Sequence, residues 1–342
     1  TGMPTPSGEG FADYVLWSED GLPLAVVEAK ATRHDPMRGQ QQAKLYADAI
    51  ERAYGQRPLI IYTNGDDIRL WDDAAFGSHG YPPRRILNYF TKEELLWRIR
   101  SRTGRRPLAE TSIRDEIVDR PYQQRMIRSV GQQFSANRRQ ALLVMATGTG
   151  KTRTVIALID QMMRAGWVKR VLFLADRVAL VDQAAKAFGQ NLPDTPAMNL
   201  TREKTADGRV FVSTYPTMMN LVNQESTPFT PGFFDLVVVD EAHRSIYASY
   251  QALFTHFDSL LVGLTATPVE DVHRSTFEFF GQENGVPTDA YTLDQAIEDK
   301  YLVPYIPRAA ETQFLSHGMR YEDMSEEDKE RWDAVEWTDA DS

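Results

Sequence analysis

From residue 122 onward, short apolar runs recur at helix-length intervals, at 141–144, 170–174, 210–213, 236–239 and 260–264. Most of the intervals between them have helical patterning. Apolar strands that alternate with helices form a parallel sheet covered on both faces. The chain before this series reads differently. Residues 11–17 and 22–29 read as two strands, joined by Ser18-Glu19-Asp20-Gly21, where Asp-Gly supplies positive φ at little cost. Residues 38–53 form a helix with Ala43, Tyr46, Ala47 and Ile50 on one face. A strand at 59–62 follows, and Thr63-Asn64-Gly65 turns into another at 68–71. The expectation is an α/β chain. A small mixed-sheet domain spans 1–95, a basic helical linker 96–118 and a parallel-sheet domain 119–290. Residues 291–342 then form a connector and the incomplete start of another domain.

Length and composition agree with this division. A chain of 342 residues with 42% hydrophobic content has room for two or three domains at about 100–200 residues each. It has no cysteine, which excludes disulfides, thiolate zinc sites and a cysteine nucleophile. No apolar run approaches the roughly 18 residues of a membrane span. The first residues show neither a basic flank nor an apolar signal region, so a cytoplasmic protein is expected. The net charge is −10 but unevenly spread. Residues 84–139 carry fourteen Lys/Arg against six Asp/Glu, and residues 311–342 carry eleven acids against three bases. Local charge decides where phosphate can dock. The arginine-rich stretch reads equally as such a surface or as a solvated helical linker.

Chemistry enters where the apolar runs end. The first run of the parallel series leads into Met145-Ala146-Thr147-Gly148-Thr149-Gly150-Lys151-Thr152. Met145 stands where the strict phosphate-loop pattern has glycine. The working parts remain. Gly148 and Gly150, with Thr147 and Thr149 between and before them, let backbone N–H groups approach phosphates. Lys151 reaches the β- and γ-phosphates, and the Thr152 hydroxyl ligates Mg²⁺. The helix N-terminus favours the bound anion. Farther on, a buried apolar run ends in Asp240-Glu241. Asp240 suits the Mg²⁺ of a bound nucleotide, and Glu241 suits orientation of the attacking water. His243 and Thr265-Ala266-Thr267 follow in order.

A second set lies near the start of the chain. Asp13 falls in the first strand, and Glu28 ends the apolar second strand. Neighbouring strands can bring two carboxylates to one divalent ion. Lys30, two residues beyond Glu28, points to the same face of an extended chain and can orient or help deprotonate water. A divalent ion there would stabilise charge on a scissile phosphate. A surface salt bridge between Glu28 and Lys30 explains the pair equally well on spacing alone. Burial of Glu28 after a wholly apolar strand favours the metal reading, because an unpaired buried charge is costly. Gln42 and Tyr46 lie at i, i+4 on the following helix and share a face, where they support the site or meet DNA.

These residues resemble known families. The carboxylate–carboxylate–lysine set is similar to that of PD-(D/E)xK nucleases. The series from the phosphate loop to Thr267 resembles superfamily 2 helicases and translocases, with their RecA-like fold and DEAH box. On that resemblance Gln123 reads adenine, His243 couples the ATP site to Thr265-Ala266-Thr267, and Phe173-Leu174-Ala175-Asp176-Arg177 and Ser213-Thr214-Tyr215-Pro216 touch the nucleic-acid backbone. Both sets together, in this order and with Thr63-Asn64-Gly65 and Gly263-Leu264-Thr265-Ala266-Thr267-Pro268, resemble the R subunit of type I restriction enzymes over nearly the whole chain. The resemblance implies an ATP-dependent double-stranded DNA translocase joined to a Mg²⁺-dependent endonuclease. It also implies modification and specificity subunits as partners, and cleavage of unmodified DNA away from the recognition site. R subunits are much longer, so the chain is expected to be an N-terminal portion lacking a leading helix and the second motor lobe, and weak in ATP hydrolysis alone. Two other readings are open: a nuclease–helicase of another defence or repair system, and a non-cleaving DNA remodelling protein with a decayed nuclease fold.

Overall fold

A computed structural model of the protein describes residues 10–31, 37–75, 80–242 and 244–304, without the side chains of Arg38 and residues 244–249. The expectations for His243 and for residues 305–342 lie outside the described residues. Two sheets organise the chain. The first is built from β1 (Tyr14–Trp17), β2 (Pro23–Ala29), β3 (Leu59–Thr63), β4 (Ile68–Trp71) and β5 (Arg84–Ile86), paired in that order. β2 and β3 run parallel and the other pairs antiparallel. The helix α1 (Met37–Tyr54) is the crossover that a parallel β2–β3 pair requires.

Period-2 alternation explains why β2 and β3 are apolar on both sides. Val26, Ile60 and Tyr62 face α1, where they meet Ala43, Tyr46 and Ala47. Val27, Leu59 and Ile61 face the other way, into a core closed by Phe90 and by Leu95 of α2 (Lys92–Gly104). The same alternation puts Glu28 on the α1 face with Val26. Helix α2 starts with a reciprocal cap: the Glu94 N–H donates to the Thr91 hydroxyl, and the Thr91 N–H donates to the Glu94 carboxylate.

The second sheet has seven strands, all parallel. In chain order its elements are α3 (Pro121–Ser135), β6 (Gln140–Met145), α4 (Lys151–Arg164), β7 (Val171–Ala175), α5 (Val178–Asn191), β8 (Ala197–Asn199) and β9 (Val210–Thr214). They continue with α6 (Tyr215–Val222), β10 (Leu236–Val239), α7 (Arg244–His256), β11 (Leu260–Thr265), α8 (Arg274–Phe279), β12 (Asp289–Tyr291) and α9 (Leu293–Glu298). The spatial order is β12-β6-β11-β10-β7-β9-β8. One face packs under α3, α4 and α5, around Met126, Phe134, Ile156, Ile159 and Phe188. The other packs against Phe211, Tyr215, Phe234, Phe257 and Phe280. The chain is therefore α/β, with a mixed N-terminal sheet followed by a parallel sheet like a RecA-type lobe.

Several boundaries differ from the reading of the sequence. β1 begins at Tyr14, so Asp13 sits just before the strand rather than inside it. Three short edge strands, β5, β8 and β12, carry too few residues to show a period. Residues expected as linker are shared between the two cores: Leu96 and Ile99 of α2 pack against the first sheet, whereas Leu108, Ile117 and Val118 enter the core of the second. β12 and Ala296 of α9 also pack there.

Three arginines of the arginine-rich stretch, Arg84, Arg98 and Arg139, face neither phosphate nor water. Asp258 is buried among Arg84 of β5, Arg98 of α2 and Arg139, just before β6, at 2.5, 3.0 and 2.9 Å. Burial alone would raise the Asp258 carboxyl; the guanidiniums of Arg139, Arg84 and Arg98 outweigh it and hold the group far below the usual carboxylate range. The Trp97 indole donates to Asp235 (2.7 Å), and the Trp167 indole donates to the Arg106 carbonyl (2.9 Å). The Thr230 hydroxyl donates to Glu94, which also caps α2. These contacts bind the first sheet to the second.

Candidate active sites on the two sheets

The first site forms where β2 ends. The Ala29 N–H donates to Asp13 (2.7 Å), which holds this carboxylate beside the end of β2. The Lys30 N–H donates to the Thr63 carbonyl (2.8 Å), so the β2–β3 pairing continues past Ala29 and fixes the direction of the Lys30 side chain. Lys30 Nζ lies against Glu28 Oε1 and donates to Gln42 Oε1 at 2.9 Å. Gln42 Nε2 donates in turn to the Tyr46 hydroxyl at 2.8 Å. The Lys30 ammonium can only donate, so the amide oxygen must face it and the amide nitrogen is left for Tyr46.

Glu28 is 2% exposed, and its Oε2 has no hydrogen-bond partner. Burial raises its pKa, Lys30 opposes the rise, and the nearby Asp13 carboxylate adds to it. A buried carboxylate oxygen without a partner is costly, and a hard cation would satisfy it. Among the described residues no cluster of three or more His, Cys, Asp or Glu could hold a metal. The donor set is therefore two carboxylates, Asp13 and Glu28. That is the small protein contribution expected for Mg²⁺, which keeps several waters and takes substrate phosphate oxygens. The residues fit the ion.

The second site forms along the C-terminal edge of the parallel sheet, where open α/β sheets bind their ligands. The loop after β6 holds Ala146 to Gly150, and α4 starts at Lys151. Gly148 and Gly150 have φ of 84° and 90°, a region that favours glycine. The Thr149 side chain is buried and donates to the Ala146 carbonyl at 2.6 Å, bracing the loop from within. From α3, the Tyr122 hydroxyl donates to the Thr149 carbonyl (2.6 Å), and Gln123 Nε2 donates to the same carbonyl (3.2 Å). The Tyr122 ring stacks on Tyr291 with centroids 3.8 Å apart. Gln123 thus supports the loop, a contact that its reading as an adenine ligand did not include.

Strand order brings the remaining groups alongside. β11 lies between β6 and β10, so Thr265 falls between the loop and Asp240-Glu241. Lys151 Nζ pairs with Glu241 Oε1 at 2.9 Å. Glu241 has φ of 55°, an uncommon conformation outside glycine that marks strain held by the surroundings. The surroundings are visible. The Asp240 N–H donates to Leu174 O (2.9 Å) and the Ala242 N–H to Leu264 O (2.7 Å), and the Tyr215 hydroxyl donates to Asp240 O (2.9 Å). Burial raises the Asp240 pKa, Lys151 lowers it, and Glu241 raises it again. Thr265 is buried, and its hydroxyl accepts from the Thr267 N–H at 3.1 Å, with Ala266 between them. Thr152 lies in the first turn of α4 beside Lys151, and Thr147 lies in the loop before Gly148. Farther along the same edge, Arg177 after β7 is exposed and Tyr215 follows β9.

The structure therefore brings Asp13, Glu28, Lys30, Gln42 and Tyr46 together at one site. It gathers Gln123, Thr147 to Thr152, Asp240, Glu241 and Thr265 to Thr267 at the other. Sequence patterning missed Tyr122 and Gly39, and it placed Tyr215 against nucleic acid without the hydrogen bond to the Asp240 carbonyl. Gly39 was visible only as the single glycine within α1.

Comparison with known proteins bears on both regions. The family model "Type I restriction enzyme R protein N terminus (HSDR_N)" matches residues 8–76, and "Type III restriction enzyme, res subunit" matches residues 116–270. The type I restriction enzyme EcoAI endonuclease subunit of Escherichia coli is 33% identical over 310 residues, covering 86% of this chain and 37% of that protein. The EcoKI endonuclease subunit of Escherichia coli K12 is 27% identical, covering 95% of this chain and 34% of that protein. Among solved structures, a fragment described as an HsdR subunit of a type I restriction enzyme from Vibrio vulnificus YJ016 is 27% identical. It covers 84% of this chain and 51% of that chain, with a TM-score of 0.42. The chain spans about a third of the length of the curated relatives it matches. Among the described residues no helix is long and apolar enough to cross a membrane.

Proposed function

We propose, for a chain that belongs to the type I restriction enzyme R-subunit family, that it carries the nuclease and the first motor lobe of an ATP-driven DNA translocase. In this reading the full protein moves double-stranded DNA and cleaves unmodified DNA away from the recognition site, in the cytoplasm and together with modification and specificity subunits. The mixed sheet is the nuclease domain and the parallel sheet the first motor lobe.

The observation that carries the nuclease half is the buried, unpartnered Glu28 Oε2 beside Lys30. Asp13 and Glu28 would hold Mg²⁺, which supplies charge neutralisation at the scissile phosphate. Lys30, held by Glu28 and Gln42, orients the attacking water and takes part in its deprotonation. In the motor, the backbone around Gly148 and Gly150 cradles phosphates, while Lys151 neutralises their charge. Thr152 and Asp240 would hold the Mg²⁺ of the nucleotide, and Glu241 orients water for attack. With phosphate present Lys151 turns to it, which releases Glu241 for that task. Thr265 to Thr267, tied by backbone to the strand beside Asp240, carry the nucleotide state toward the DNA.

The test uses supercoiled DNA bearing a recognition site and the full assembly. Wild-type protein should cut only with ATP and Mg²⁺, at positions distant from the site. Lys151→Ala should abolish ATP hydrolysis and cutting together. Glu28→Ala should abolish cutting and leave ATP hydrolysis in place. Cutting by Glu28→Ala at the wild-type rate would sink the nuclease assignment, and hydrolysis by Lys151→Ala would sink the motor assignment.

A further inference from the structure

The first turn of α1 contains Gly39, which is buried and has ordinary helical φ. No left-handed conformation calls for glycine there. Glycine is about 0.5–1 kcal/mol less favourable than alanine in a helix interior, and nothing in a first turn makes it the preferred residue. Its surroundings argue the other way. A Cβ on residue 39 would lie 3.3 Å from Glu28 Cγ, 3.6 Å from Tyr62 Cβ and 3.7 Å from Lys30 Cε. Two of those three atoms belong to the carboxylate–lysine pair, and the third belongs to the residue paired with Glu28 across β2 and β3.

Residues 39, 42, 43 and 46 stand at i, i+3, i+4 and i+7, one face of α1. Gln42 and Tyr46 hold Lys30 through hydrogen bonds, whereas Gly39 and Ala43 leave room for the helix to come close enough for those bonds to form. We propose that Gly39 is a positioning residue of the nuclease site: its missing side chain sets how closely α1 approaches Glu28 and Lys30. It therefore sets the placement of the Glu28 carboxylate that receives the metal ion and of the Lys30 ammonium. The proposal rests on the nuclease reading given above and adds a residue to it. A methyl group at 3.3 Å from a buried Cγ must displace Glu28 or lift α1 by a few tenths of an ångström. Sites of this kind tolerate roughly half an ångström before they lose function, and small misplacements lower rates by large factors.

The experiment is Gly39→Ala in the full-length protein and its assembly, with three measurements. Direct Mn²⁺ binding without DNA, read by electron paramagnetic resonance of free Mn²⁺, should weaken severalfold. ATP-dependent cleavage should fall by about tenfold or more, while ATP hydrolysis, carried by the other sheet, serves as the control for assembly. Thermal stability should stay level or rise, as alanine favours the helix. Wild-type Mn²⁺ affinity and cleavage in Gly39→Ala would overturn the proposal. So would a loss of cleavage matched by an equal loss of ATP hydrolysis, which would place the defect in the assembly rather than at the site. The nuclease reading fails separately, through an active Glu28→Ala.

Discussion

Glu241 shows how a single position is held against its own preference. Its positive φ costs a β-carbon-bearing residue about 1–2 kcal/mol, yet three backbone and hydroxyl hydrogen bonds around residues 240–242 keep the turn in place. The turn aims the carboxylate at Lys151 rather than away from the loop. Glu241→Gly and Glu241→Ala both remove the carboxylate, and only glycine relieves the backbone. Both should abolish ATP hydrolysis, and the glycine variant should be the more stable by about 1 kcal/mol in chemical denaturation. Equal stabilities would mean that the turn carries no strain.

The helix α1 is the element that turns a strand end into a site. β2 alone offers Glu28 and Lys30 on one face; α1 adds the hydrogen-bonded pair Gln42 and Tyr46 that gives the lysine one position. Removing outer partners of this kind typically lowers activity by about 10–100-fold. Gln42→Ala should fall in that range for DNA cleavage while ATP hydrolysis stays at the wild-type level. Tyr46→Phe should cost less, because Gln42 Oε1 can still reach Lys30. A Tyr46→Phe loss as large as that of Gln42→Ala would show that Tyr46 acts directly rather than through Gln42. The strands and helices behind this arrangement were largely readable beforehand, because β2, β3, β6, β7, β9, β10 and β11 are apolar runs with helices between most of them. The edge strands β5, β8 and β12 were not, since three residues show no period and their pairing depends on a neighbour from elsewhere in the chain.

The two sheets are joined by charge as much as by apolar packing. Asp258 holds three guanidiniums, drawn from β5, from α2 and from Arg139 just before β6. Replacing it leaves those charges buried without a partner, and breaking a buried ion pair in this way costs about 3–5 kcal/mol. Asp258→Asn should therefore lower stability strongly, and calorimetry should show unfolding at a lower temperature than in wild type. The pH dependence has a definite sign. The unfolded carboxyl titrates near about 3.9, and the folded one titrates lower. The stabilisation is thus complete above about pH 4 and is lost as pH falls toward the folded-state value. The gap between wild type and Asp258→Asn should be constant from neutral pH down to about pH 5 and should narrow below about pH 4. A gap that widens in acid would contradict the ion-pair account.

This junction also marks where reading the chain alone stops. Motif residues were legible because each chemistry demands particular side chains at short spacing: Gly148, Gly150 and Lys151 in one loop, Glu28 and Lys30 on one strand. Apolar periodicity likewise determined that the chain is α/β, since strands buried on both faces must be apolar whatever they pair with. Partners distant in sequence were not legible. An arginine run looks the same whether it faces phosphate, water or a buried aspartate, and Arg84 meets Asp258 across 174 positions. A lone glycine in a helix likewise looks like a local weakness until the helix is docked. Periodicity and motif spacing are local properties and survive in a one-dimensional reading. Approach distances, charge pairing and strand order arise when separate segments are packed together, so they appear only in the folded chain.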